Sequence, residues 1–168
     1  MNNRIALSGR SGSGKTVIAE YLVEKHGFKS CSSGVACRDL CRRLFGTESK
    51  TILNQVTDAL KAIDSKVWLN AALCSVDDDR PLVFDSMRFS TDYDFFRERE
   101  FTTWRIEAPL TIRLERMRKR GQSVTAEDDE HRAETELDAF VFDRVIDNSD
   151  EGFDLLHFKI EEALTVIR

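Results

Sequence analysis

The chain has 168 residues, 41% of them hydrophobic and 33% charged, which suits one soluble domain with its own core and excludes intrinsic disorder. Its 25 basic and 30 acidic side chains leave a net charge of −5, which argues against a general nucleic-acid coat but leaves room for a local anion site. No apolar run approaches the roughly 18 residues of a membrane span, and Met1-Asn2-Asn3-Arg4 lacks the apolar stretch of a secretory signal, so a cytoplasmic protein is expected.

In chain order, Arg4 to Ser8 reads as a short strand, followed by a glycine-rich turn and a helix from Lys15 to about His26 that Gly27 ends. Phe28 to Cys31 reads as a second strand. A helix from about Val35 to Phe45 stops at Gly46. The spacing of Ile52, Leu53, Val56, Leu60, Ile63, Val67, Trp68 and Ala71 then predicts one long helix with Trp68 on its core face. Pro81 to Asp85 reads as a buried strand, and Thr103 to Glu107 as another. A helix opens at Pro109 and runs to Gly121, with Leu110, Leu114 and Met117 on its buried side. A helix from about Asp129 to Phe142, a strand at Arg144 to Ile146 and a helix from Asp154 to Ile167 complete the pattern. Strands alternating with helices predict an α/β fold with a parallel sheet covered on both faces. No repeat or low-complexity segment divides the chain, so a single domain over residues 1–168 is expected.

Four cysteines, Cys31, Cys37, Cys41 and Cys74, form no C-x-x-C pair, and His26, His131 and His157 are scattered, so small buried thiols are expected rather than a zinc site. The chemistry lies elsewhere. Gly9-Arg10-Ser11-Gly12-Ser13-Gly14-Lys15-Thr16 matches G-x-x-x-x-G-K-[ST] without a gap. Gly9, Gly12 and Gly14 let the backbone turn so that successive N–H groups, those of Ser11 and Ser13 among them, point at phosphate oxygens. The helix opening at Lys15 adds free N–H groups and the positive end of its dipole. Lys15 is expected to neutralise β and γ oxygens, and the Thr16 hydroxyl to ligate Mg²⁺ of a bound ATP·Mg²⁺. With a strand before it and an amphipathic helix after it, the motif marks a nucleoside-triphosphate site. A GTPase would add N-K-x-D, which is absent, and a motor ATPase needs more chain.

Beyond the loop the chain resembles the nucleoside-monophosphate-kinase group of P-loop kinases. The small deoxynucleoside-monophosphate kinases of phages and bacteria are nearest, with dephospho-CoA kinase a cousin. Ser33-Gly34-Val35-Ala36-Cys37-Arg38 is similar to the segment whose arginine grips the acceptor's phosphate. Phe84-Asp85-Ser86-Met87-Arg88 resembles the Asp-Gly-x-x-Arg segment whose arginine holds the same phosphate, with Ser86 in the glycine's place. The run from Arg113 through Arg116 and Arg118 to Arg120 resembles the helix and lid that bring arginines to the transferring group. Glu130 to Glu136, with Arg132 inside it, and Phe142 to Asn148 are similar to the tail of the same group. The resemblance implies a three-layer fold with a five-stranded parallel sheet and a short arginine-rich lid at about residues 116–132. It implies ATP and Mg²⁺ as donor and cofactor, and Gly34, Arg38, Asp85, Arg88 and Arg132 around the acceptor. Arg116 and Arg120 would act at the transferring group, with Arg116 also on the donor, and the protein would be a monomer or homodimer.

Charge arithmetic weighs the same arginines. Arg113, Arg116 and Arg120 share one side of the Pro109 helix, where they either reach the transferring group or form a solvated face paired with the acids of residues 127–130. Asp85 is a catalytic candidate in two ways: metal support for a phosphate acceptor, which needs no base, or general base for a hydroxyl acceptor. The absence of a carboxylate in Ser30-Cys31-Ser32-Ser33, where dephospho-CoA kinase carries an aspartate, favours a small nucleotide carrying a phosphate. A hydroxyl acceptor, either dephospho-CoA or a 5-hydroxymethyl pyrimidine in a nucleotide or in modified DNA, is the alternative, and a nucleotide-binding regulatory module without transfer is the alternative of another class. Phe45, Trp68, Phe89, Tyr93, Phe95 and Phe96 are base-stacking candidates, of which Trp68 belongs to the core by its place on the periodic face.

Overall fold

A computed structural model describes residues 4–74, 76, 80–122, 129–149 and 152–165. Strands β1 (Arg4–Ser8), β2 (Lys29–Cys31), β3 (Leu82–Met87), β4 (Thr102–Glu107) and β5 (Arg144–Asp147) form one parallel sheet in the order β2-β3-β1-β4-β5. β1 is flanked on both sides, with Ile5 beside Val83 of β3 and beside Thr102 of β4. Such a strand must be apolar on both faces, and Ile5, Ala6 and Leu7 are fully buried. The register places Ser8 beside Met87 and Arg105, so the turns after β1, β3 and β4 emerge along one edge. In open parallel sheets that carboxyl edge is where ligands bind.

The chain divides into two units, residues 1–30 with 80–168, and residues 31–79. In the first, α1 (Lys15–His26) and α8 (Phe153–Thr165) lay Ile18, Leu22, Leu156 and Ile160 against Ile5, Leu7, Val83, Trp104 and Ile106 of the sheet. The α1 boundaries match the sequence reading, because glycine stands at both ends and Gly27 adopts the left-handed conformation that donates back to Leu22 and Val23. Phe84 is instead part of an aromatic cluster with Phe96 and Phe101, whose ring centroids lie 4.5 and 4.8 Å from their neighbours. The helix that delivers Phe95 and Phe96, α5 (Ser90–Arg97), is absent from the sequence-based list of elements. Both rings are fully buried, so these two are core rather than base-stacking residues.

In the second unit α2 (Ser33–Phe45), α3 (Lys50–Ile63) and α4 (Val67–Cys74) enclose Cys37, Cys41 and Trp68 with Leu53, Val56 and Leu60. The single helix expected over residues 52–71 is two helices. Asp64 is extended, and its carboxylate accepts the Lys66 N–H at 2.8 Å, which turns the chain before α4 starts. Ile63, which the spacing places on the apolar side, is therefore 83% exposed. Trp68 is core, as its position in the pattern implies, and its indole N–H donates to the Thr57 carbonyl at 3.5 Å. Cys31, Cys37 and Cys41 are buried free thiols, and Cys74 is exposed.

Two further helices complete the described elements, α6 (Leu110–Lys119) and the single turn α7 (Arg132–Thr135). The latter replaces the expected helix over residues 129–142, and within that stretch Asp129, Glu134 and Asp138 pair with arginines. No helix among the described residues is long and apolar enough to cross a membrane.

The aromatic cluster under β3 gives a direct test. Phe96→Ala removes a fully buried ring and is expected to cost about 3–5 kcal/mol in chemical denaturation, whereas Phe45→Ala, at a half-exposed ring, is expected to cost under about 1 kcal/mol.

Candidate functional site

The loop of residues 9–14 leaves β1 at the carboxyl edge and enters α1, and its neighbours press closely upon it. A Cβ at Gly9 would stand 2.3 Å from the Ile106 carbonyl oxygen, and one at Gly14 would stand 2.2 Å from the Asn148 side-chain nitrogen. Both residues have positive φ, 145° and 107°, so no side chain fits on either ground. Gly12 lies against the backbone of Arg113. Ser13 is buried, and its carbonyl accepts the Asn148 side-chain N–H at 2.7 Å, while the Asn148 backbone N–H donates to Glu107 at 2.7 Å. Asn148 thus ties the end of β5 to the loop. It carries no local signal in the sequence beyond its place in the tail motif.

Lys15 opens α1 with its ammonium folded back onto the loop, donating to the Gly9 carbonyl and to the Arg10 carbonyl at 3.1 Å. Withdrawal of this ammonium from water, aided by the positive charge of Arg88, lowers its pKa to about 8. Thr16, exposed, lines a cavity of about 310 Å³ together with Asp85, Glu20, Glu24 and Ser30. Burial draws the Asp85 carboxyl above its ordinary value, and a backbone hydrogen bond and the charge of Lys15 oppose the shift.

Arg88 follows β3. Its backbone N–H donates to Asp92 at 3.0 Å and its guanidinium to Glu134 at 2.9 Å. The same Glu134 carboxylate accepts the backbone N–H of Ser11 at 2.5 Å and its hydroxyl at 2.9 Å. Around it Arg10 bonds Asp129 at 2.9 Å, Glu130 at 3.1 Å and Asp138 at 2.5 Å, and Arg105 bonds Asp138. Residues 129–138 therefore lie across the loop as an acidic strap.

Of the arginines on α6, Arg113 is buried and forms a two-pronged pair with Asp129, while its Nε donates to the Ala108 carbonyl at 3.0 Å. It is thus a structural partner of the strap; Met117 is buried as expected, whereas Leu110, expected beside it, is exposed and Arg113 is buried. Arg116 and Arg120 line a second cavity, of about 480 Å³, with Gly14, Val17, Ile112, Asn148, Phe153 and Leu156. Arg118 is exposed. Gly34 and Arg38 lie on the first turns of α2 in the second unit, with Arg38 exposed. Arg132 belongs to α7 and its side chain lies outside the described residues, as do residues 123–128 of the expected lid. Tyr93, a base-stacking candidate, donates its hydroxyl to the Val141 carbonyl at 2.5 Å and meets Phe140 and Phe142 edge-on.

The donor set fits a magnesium-bound polyphosphate: amides and an ammonium around a cradle that glycine alone permits, with a hydroxyl and a carboxylate beside it for a hard cation. The sequence reading assigns no role to Glu134 or Asn148 beyond their places in the tail motif, and it takes the acids of residues 127–130, Asp129 among them, as a solvated helix start or as partners of the arginine face.

The AAA domain family model matches residues 5–137. Among solved structures, the chain is similar to the tunicamycin resistance protein of Deinococcus radiodurans, at 23% identity, 98% coverage of this chain, 96% of the other and a TM-score of 0.58. It is also similar to the gluconokinase of Sinorhizobium meliloti, at 19% identity, 98% and 90% coverage and a TM-score of 0.58. The shikimate kinase of Acinetobacter baumannii, in complex with shikimate, matches at 19% identity, 98% and 90% coverage and a TM-score of 0.59. These likenesses show the P-loop kinase fold. No curated protein matches the chain.

The Arg113–Asp129 pair is buried, at 6% and 5% side-chain exposure, and its hydrogen bonds hold the Asp129 carboxyl below the ordinary carboxylate range. Asp129→Asn leaves a buried guanidinium without its partner and is expected to cost about 3–5 kcal/mol at pH 7. Because the folded pKa lies below the unfolded 3.8, this stability is complete well above pH 3.8 and is lost as pH falls through the folded value. Denaturation of wild type and variant is therefore expected to converge in acid, and a constant difference down to pH 2 would contradict the pairing.

Proposed function

The chain belongs to the AAA domain family, and on that premise we propose that it is an ATP-dependent kinase whose acceptor is a small nucleotide, a (deoxy)nucleoside monophosphate. The observation that carries the reading is the convergence of three devices on one sheet edge: the glycine cradle after β1, Asp85 with Arg88 at the end of β3, and the arginines of α6. A protein that only holds a nucleotide needs the first of these. A phosphoryl transferase needs a grip on an acceptor beside it.

In this reading the amides of Ser11, Gly12, Gly14 and Lys15 and the Lys15 ammonium hold the donor's phosphates, the ammonium moving from the loop carbonyls onto β and γ oxygens. The Ser13 N–H, expected to face phosphate, instead closes the loop onto the Arg10 carbonyl at 3.1 Å. Thr16 and Asp85 would hold magnesium, which when bound adds positive charge to the phosphate oxygens. The 480 Å³ cavity begins at Gly14 and has Val17, Ile112, Phe153 and Leu156 as apolar walls, which suits a purine, with the Arg116 guanidinium to stack upon it. Arg88 takes the acceptor's phosphate, and Arg120 stabilises charge on the equatorial oxygens as the phosphoryl group passes. Positioning and electrostatics carry the rate, because a phosphate acceptor is already ionised at pH 7.

A hydroxyl acceptor is the second reading, and Asp85 favours it. Its carboxyl is drawn upward by burial, toward the range in which a carboxylate accepts a proton from a sugar or hydroxymethyl group.

Coupled ADP release with ATP·Mg²⁺ separates these readings. The panel is the ribo- and deoxynucleoside monophosphates, the nucleosides, dephospho-CoA, shikimate, gluconate and a hydroxymethyluracil oligonucleotide. Turnover is expected on one or a few monophosphates, with Lys15→Ala lowering kcat at least about 100-fold and Arg88→Ala raising the acceptor KM about tenfold with a smaller change in kcat. Turnover on hydroxyl acceptors alone selects the second reading, and an unchanged acceptor KM in Arg88→Ala removes that arginine from the acceptor's grip.

A further inference from the structure

We propose that Glu134 is a built-in competitor for the phosphate loop: its carboxylate takes the Ser11 amide that a donor phosphate needs, and donor binding must displace it. The inference rests on the kinase reading above and adds to it an autoinhibitory contact.

The geometry is that of a bound anion. Glu134 accepts the Ser11 backbone N–H at 2.5 Å, the Ser11 hydroxyl at 2.9 Å and the Arg88 guanidinium at 2.9 Å, with its side chain only 9% exposed. One backbone amide, one hydroxyl and one guanidinium are the donors that a phosphate oxygen pair would recruit, and a carboxylate uses the same charge-assisted bonds. Two anions cannot share the Ser11 N–H, and like charges at hydrogen-bond separation repel. Glu134 is also held from both sides along the strap. Asp129 is locked by Arg113 and Arg10, and Asp138 by Arg10 and Arg105. The strap therefore places the carboxylate in the cradle rather than letting it drift there.

A second consequence follows from the Arg88 bond. While Glu134 caps Ser11 it also occupies the guanidinium assigned to the acceptor, so one displacement opens the donor cradle and frees the acceptor's grip. A device of this kind keeps an empty site from holding stray phosphate on either half. It lowers the apparent donor affinity by the fraction of molecules in which the contact is open.

The test is calorimetric titration of the protein with a magnesium-bound, non-hydrolysable ATP analogue. Glu134→Gln keeps the shape of the side chain and removes its charge, and it is expected to bind the analogue about tenfold more tightly than wild type. Glu134→Asp, whose shorter arm cannot reach Ser11 and Arg88 together, is expected to move in the same direction and supplies the comparison if the glutamine variant fails to fold. Glu130→Gln removes a charge from the same strap without touching Ser11, and less than a twofold change is expected there. Equal or weaker binding in both Glu134 variants overturns the proposal, as does an equal gain in Glu130→Gln, which would mark a general field effect. Failure of wild type and variants alike to bind the analogue overturns the kinase reading itself, and the competitor with it.

Discussion

The close approach of one loop to two other backbone segments and one side chain governs this molecule. Residues 9–14 run so near to the Ile106 carbonyl, the Arg113 backbone and the Asn148 side chain that a single methyl group at Gly9 or Gly14 would collide with them. Glycine there does more than allow a turn. It lets the ends of β4 and β5 and the start of α6 support the loop directly, so that its N–H groups are fixed before any ligand arrives. Once Glu134 is displaced from the Ser11 amide, donors fixed in this way need no rearrangement of their own to meet charge, which is what makes them effective in phosphoryl transfer.

From that constraint the rest of the site follows. A loop pinned on its outer side must be neutralised on its inner side. In this structure the neutralising groups come from the protein: Lys15 folds onto the loop carbonyls, and Glu134 sits on the Ser11 amide. Arg10, Arg105 and Arg113 would leave strong positive charge along the same edge, and Asp129, Glu130 and Asp138 offset it. The strap that carries those acids is thus part of the loop's architecture, although more than 100 residues separate Ser11 from Glu134 in sequence.

Much of this was legible beforehand where local punctuation was strong. The glycines of the loop and Gly27 frame α1, the phosphate motif states its own chemistry, and the alternation of strands and helices gives the parallel sheet. Legibility failed where tertiary partners override local pattern. The apolar spacing from Ile52 to Ala71 continues through a break made by one aspartate, Asp64, whose side chain turns the chain. Phe95 and Phe96 lie in a polar stretch, yet their rings fill the space against Phe84 and Phe101. Glu134 has no local signal for its bond to Arg88, and Asp129, within an acidic run that suits a solvated helix start, is instead buried against Arg113. Arg113, for which the sequence leaves open the transferring group or a pairing with the acids of residues 127–130, is held in the interior by Asp129.

The central claim is that Lys15 leaves its loop carbonyls to meet a phosphate, and proton uptake tests it most directly. With a pKa of about 8 when folded onto the loop carbonyls, the ammonium is mostly deprotonated at pH 8.5, and contact with a polyphosphate restores its charge. Calorimetric titration with ATP·Mg²⁺ at pH 8.5, in buffers of differing ionisation enthalpy, is predicted to show uptake of roughly 0.5–1 proton per bound nucleotide, falling to near zero at pH 6.5. Tight binding with no uptake at pH 8.5, or with proton release, would contradict the account, because the nucleotide would then be held without the loop lysine.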